Sequence, residues 1–117
     1  MDLSKIVARQ SAADIKRGFS EELRTDAERL AQLTRDTVGL VGEVGEFANL
    51  LKKVDLALRV DDYEGASLDT ASTELREELV DAMIYIFRLS IALGGDIEND
   101  LLQKMAKNDE RYRHLEE

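Results

Sequence analysis

Apolar residues recur along this chain at intervals of three and four, the spacing of one face of an α-helix. The pattern predicts helices over about 3–16, 21–37, 39–60, 70–93 and 96–113. Gly18 ends the first, and Ser20 is the expected N-cap of the second, with Glu21 and Glu22 suiting its dipole. An acidic loop, DDYEGASLD, precedes the fourth, with Ser67 or Asp69 as its cap. Gly94-Gly95 closes that helix, and Asp96 opens the last. The absence of proline and the wealth of Ala, Leu, Glu, Arg and Lys agree with an all-α fold, a four- to five-helix bundle.

Two segments are the most apolar. In 39–60, Leu40, Val44, Phe47, Leu51, Val54 and Leu58 form one stripe, with Glu43, Glu46, Leu50 and Lys53 on its flank. In 70–93, Leu75, Leu79, Ala82, Ile86, Leu89 and Leu93 form a first stripe, and Val80, Ile84, Phe87 and Ile91 a second. A helix apolar on two sides is buried on two sides, and in so short a chain the second side calls for another copy. Glu74, Glu78, Asp81 and Tyr85 fill the gap between those stripes. Carboxylates in such a place must be paired, hydrogen-bonded or metal-bound.

At 117 residues the chain has the length of one domain, 1–117. It has no cysteine, which excludes a thiolate nucleophile, a disulfide framework and a Cys-based zinc site. The single histidine, His114, leaves no histidine cluster and argues against a Ser-His-Asp triad. The formal charge of -9 argues against nucleic acid or an anionic membrane as partner and favours cations. The charge is uneven: residues 1–60 are net neutral, and residues 61–117 carry the whole excess. No apolar leader or bilayer-length stretch is visible, so a soluble, cytoplasmic protein is expected.

Acids three residues apart on a helix point the same way and can share a hard cation. The pairs are Glu43/Glu46, Asp61/Glu64, Glu74/Glu77 and Glu78/Asp81, no more than chance supplies in so acidic a chain. Glu43/Glu46 and Glu78/Asp81 stand out because they flank apolar stripes. A metal site and a set of partly buried ion pairs both fit that placement. Gly39, Gly42 and Gly45 recur every third residue where each costs about 1 kcal/mol relative to alanine. Close helix packing and room for a ligand beside Glu43 and Glu46 are both sufficient reasons. The basic segment KMAKNDERYRH either meets phosphates or offsets a helix dipole.

In this order the segments resemble the MazG-like all-α nucleoside triphosphate pyrophosphohydrolases. GLVGEVGEFANLLKK (39–53) is similar to the family's first metal helix, with E-x-x-E followed by lysine. ELREELVDAMIYI (74–86) is similar to the second, with E-x-x-D at Glu78 and Asp81, and KMAKNDERYRH (104–114) to the K-M-x-x-N-x-x-R element. The likeness spans about 39–114; residues 1–38 match only loosely, and Gly42 stands where the family often has a further glutamate.

The resemblance implies Mg2+, with Mn2+ as a substitute, held by Glu43, Glu46, Glu78 and Asp81, which would also carry the catalysis. It implies hydrolysis of a (d)NTP to (d)NMP and pyrophosphate, in the manner of nucleotide-pool house-cleaning. Lys53, Lys104, Asn108 and Arg111 become candidates for phosphate contacts and Tyr85 for the nucleotide pocket. A homodimer or homotetramer is expected. A related phosphoribosyl-ATP pyrophosphatase shares the metal logic, and a non-catalytic helical assembly module would keep the fold without the chemistry.

Overall fold

The computed structural model describes residues 2–20 and 22–117. Among them are four α-helices and no strand: α1 (Leu3–Lys16), α2 (Asp26–Arg59), α3 (Leu68–Ala92) and α4 (Ile97–Arg111), followed by a single 3-10 turn, Arg113–Leu115. None of these helices is long and apolar enough to cross a membrane.

Most ends follow from side-chain caps. Asp2, Thr25, Ser67 and Asp96 each accept a hydrogen bond from the backbone N–H three residues on, opening α1, α2, α3 and α4 in turn. Gly18 and Gly94, at φ 75° and 74°, make the left-handed turns after α1 and α3.

The two helices expected over 21–37 and 39–60 are one continuous helix, α2. Nothing at Val38-Gly39 breaks it: the glycine weakens a helix without removing a backbone donor, as proline would. Ser20 caps nothing; the chain runs without helix from Glu22 to Arg24, and the cap falls at Thr25. Glu21, the expected start of that helix, lies outside the described residues.

α2 and α3 pack along their lengths as an antiparallel pair, which positions the rest. Their shared seam runs through Gln32, Asp36, Gly39, Glu43, Leu50, Val54 and Ala57 on α2 and Ala71, Leu75, Glu78, Ala82, Tyr85, Leu89 and Ala92 on α3, all buried or half-buried. On α3 the spacing alternates fours and threes, as in a coiled coil, and on α2 it does so except for one interval of seven between Glu43 and Leu50. Val54, Ala71 and Leu75 form the apolar core, with Phe47 and Leu50 against it. At the other end the Arg29 Nε donates to the carbonyl of Ala92 (3.1 Å), tying α2 to the last turn of α3.

This seam corrects both expected stripes. Of the stripe on α2, only Val54 is buried, while Val44, Leu51 and Leu58 are exposed. On α3, Leu75, Ala82 and Leu89 lie in the seam, whereas Leu79, Ile86 and Leu93 are exposed. The second apolar group of α3 is covered in part by α1 of the same chain, which lines a cleft with Ile84 and Phe87 through Ile6, Gln10 and Ala13.

The molecule is extended for its length. Its radius of gyration is 18.4 Å, against about 13 Å for a compact domain of this size. α4 packs on α1 and leaves Leu101, Leu102 and Met105 exposed.

Candidate metal and nucleotide site

The α2–α3 seam changes character halfway along. Toward Val54 and Ala71 it is apolar; from Glu43 and Glu78 to the far end it also carries Asp36, Gln32 and Tyr85. Glu43 and Glu78 are half-buried seam residues, and Glu46 is exposed one turn along α2. Each offers a carboxylate oxygen, and the three lie within 4.8 Å of one another. Glu43 Oε2 and Glu78 Oε2 are buried and have no hydrogen-bond partner.

Three like charges so close cannot all ionise freely. The neighbouring Glu43 carboxylate and burial push Glu78 above the usual carboxylate range. Glu46 is raised as well, first by the proximity and charge of the Glu78 carboxylate. No cationic side chain neutralises the group: the ion pairs among the described residues are Arg24–Glu22, Arg29–Asp26, Arg59–Asp55, Arg88–Asp14 and Arg113–Glu110. Oxygen-only donors, an unbalanced negative charge and two orphaned oxygens fit a hard divalent cation.

The remaining expected residues are placed less uniformly. Asp81 is exposed and outside the group of three, yet close enough for its charge to raise Glu46 and Glu78. It lines an open cleft of about 390 Å³ on the outer side of α3 with Arg76, Glu77 and Val80. Lys53 is exposed, seven residues past Glu46 and so on the same side of α2. Lys104, Asn108 and Arg111 lie on α4, which packs chiefly on α1 and the 3-10 turn and not along the seam. Arg111 stacks on Tyr112 at 5.1 Å.

Tyr85 is half-buried two turns beyond Glu78, with its ring flush against Gly39; a Cβ there would overlap it. The three glycines therefore divide. Gly39 is a close-packing glycine, whereas Gly42 and Gly45 face open space.

Sequence reasoning passed over a second polar group. Arg88 grips Asp14 with two hydrogen bonds of 2.9 Å, and Gln10 Nε2 donates to the same carboxylate at 2.9 Å. The Asp14 side chain is 2% exposed and that of Arg88 14%. Burial pushes the Asp14 carboxyl up, but the bonds from Arg88 and Gln10 outweigh it and hold it below its usual range. Nearby, buried Asp36 accepts from Gln32 Nε2 (2.8 Å). The available signal was Arg88 itself, the only base between Arg76 and Lys104, set in the apolar run MIYIFRLSIAL.

Comparison with family models, curated proteins and solved structures finds no match to this chain.

Proposed function

We propose that this protein is a Mg2+-dependent nucleotide pyrophosphohydrolase that cleaves a (d)NTP to (d)NMP and pyrophosphate. The observation that carries the reading is the convergence of Glu43, Glu46 and Glu78 on the seam, with two buried oxygens left without partners. The ordered resemblance of 39–53, 74–86 and 104–114 to MazG-like enzymes supplies the reaction and the substrate class.

In this reading Glu43, Glu46 and Glu78 hold the cation, with Asp81 joining them. A bound Mg2+ supplies charge to polarise phosphate oxygens and makes a coordinated water more acidic. Glu43 and Glu78, fixed on two rigid helices, set where the cation sits; Glu46, exposed, meets the solvent and substrate side. Lys53 offers positive charge on that side, and Tyr85 offers an aromatic surface for the nucleotide at the polar end of the seam.

The reading requires self-association as a homodimer or homotetramer. The chain's extended shape and its exposed Val41, Val44, Leu79 and Ile86 support it. An assembly also gives Lys104, Asn108 and Arg111 a route to the phosphates, through α4 of another copy. We place the protein in the cytoplasm, where its nucleotide substrates are.

A pyrophosphate-release screen over canonical and modified nucleotides, with Mg2+ or Mn2+, tests the proposal; phosphoribosyl-ATP belongs in the panel as the related alternative. Turnover abolished by Glu46→Gln in a folded protein is the expected result. The exposed apolar faces equally favour a non-catalytic assembly module. That reading prevails if no nucleotide is cleaved and divalent ions leave the melting temperature unchanged.

A further inference from the structure

Tyr85 has two close neighbours. The ring lies on the α2 backbone at Gly39, where no side chain larger than hydrogen fits without moving it. The Arg88 guanidinium also stacks over the ring at 5.0 Å. Arg88 has little freedom of its own. Its Nε and Nη2 engage Asp14 Oδ2 and Oδ1 in a fork that fixes the plane of the guanidinium.

Asp14 is fixed in turn. Gln10, one turn back on α1, donates to its Oδ1, and the Asp14 backbone carbonyl accepts from the N–H groups of Phe19 (2.8 Å) and Ser20 (3.3 Å). That turn brings the Phe19 ring to 5.7 Å from the same guanidinium. Arg88 thus lies over two aromatic rings and is oriented from α1.

Stability alone does not call for this arrangement, since a buried ion pair gains little over apolar side chains of similar volume. What a bidentate pair adds is orientation, which a lysine or methionine cannot reproduce. The oriented ring belongs to the polar end of the seam: Gly39 is one turn before Glu43, and Tyr85 two turns beyond Glu78.

We propose that the Asp14–Arg88 pair is a positioning element that holds the Tyr85 ring on Gly39, so that the ring forms a fixed wall for the nucleotide beside the carboxylates. The pair touches neither cation nor phosphate; it acts through Tyr85. This deepens the pyrophosphohydrolase reading and rests on it for its kinetic half.

The test uses the full chain with Arg88→Lys, Arg88→Met, Tyr85→Leu and the double variant Arg88→Met/Tyr85→Leu. With the best nucleotide from the release screen, the Arg88 variants should raise KM roughly fivefold or more while kcat stays within about twofold. Their Mn2+ midpoint, read by thermal shift, should equal that of the wild type. The double variant should bind nucleotide no worse than Tyr85→Leu alone, because Arg88 has nothing left to position. An unchanged KM in the Arg88 variants, or penalties that multiply in the double variant, overturns the proposal.

If no nucleotide is cleaved, the functional reading falls and the positioning is read independently. The chain has no tryptophan and three tyrosines, so near-UV circular dichroism reports tyrosine environment. The Tyr85 signal is the difference between wild type and Tyr85→Leu. Arg88→Lys, which keeps the charge and with it the better chance of folding, should lose that signal; its retention sinks the proposal whatever the enzyme does.

Discussion

Glu43 and Glu78 face each other across the α2–α3 seam, each with Oε2 buried and without a hydrogen-bond partner. In a helix pair otherwise fastened by Val54, Ala71 and Leu75, this is a local electrostatic liability that a cation would turn into a link.

Divalent ions should therefore stabilise the fold. At a hundredfold excess over Kd the gain is about 2.7 kcal/mol, seen as a rise in Tm upon Mg2+ or Mn2+ titration. Glu78→Gln should remove most of that rise. A Tm insensitive to either ion would mean that the three carboxylates do not form a cation site.

Without ions the same cluster should make stability fall with pH. Glu46 and Glu78 have folded pKa values raised above their unfolded ones, so the folded state binds their protons more tightly. The cluster's contribution is then most favourable below the ordinary carboxylate range and declines as pH rises through the raised values. In EDTA, Glu78→Gln should be more stable than wild type at neutral pH and show a flatter profile there. Equal profiles for the two proteins would contradict the shift.

Asp14 has the opposite sign. Its folded pKa is lowered, so its contribution is complete above the unfolded value and disappears as pH falls through the folded one. Breaking the pair strands a buried guanidinium, and Asp14→Ala should cost about 3–5 kcal/mol by urea denaturation. A loss typical of surface pairs, under about 1 kcal/mol, would show that the pair is effectively solvated.

The glycines of α2 should respond differently to one methyl group. Gly42→Ala and Gly45→Ala meet open space within the chain and should each stabilise it by up to about 1 kcal/mol. Gly39→Ala must displace the Tyr85 ring, so its helix gain is offset and the tyrosine near-UV signal changes. Three identical responses would remove the case for close packing at Gly39.

The exposed apolar positions supply an oligomer test. Val44→Lys or Ile86→Lys alters no buried residue of the chain, yet should shift sedimentation toward the monomer if those faces are joined between copies. A wild-type protein that sediments as a monomer at micromolar concentration would refute self-association.

Much of the local structure was legible because it depends on local chemistry. α1 was expected over about 3–16 and is Leu3–Lys16; Ser67 and Asp96 act as caps through their own side-chain oxygens, and Gly94 turns because it lacks a Cβ. Three of the four expected carboxylates meet, since spacing of three along α2 places Glu43 and Glu46 together in any environment. The break expected near Gly39 failed because glycine weakens a helix without removing a backbone donor, and α2 runs through it with the Tyr85 ring packed against that glycine.

The helical character of the chain, the ends of most helices and the acids that share a helix face were legible from residue order, because hydrogen bonding and spacing within one helix need no partner. The rotation of α2 and α3 about their axes was decided only in the tertiary structure. Both helices carry apolar residues around much of their circumference, so several rotations bury similar apolar area and periodicity cannot choose among them. The packed pair puts Gln32, Asp36, Glu43, Glu78 and Tyr85 in the seam and leaves Val44, Leu79 and Ile86 exposed. It also joined Asp14 to Arg88 across 74 positions of chain, a pairing no local pattern could announce.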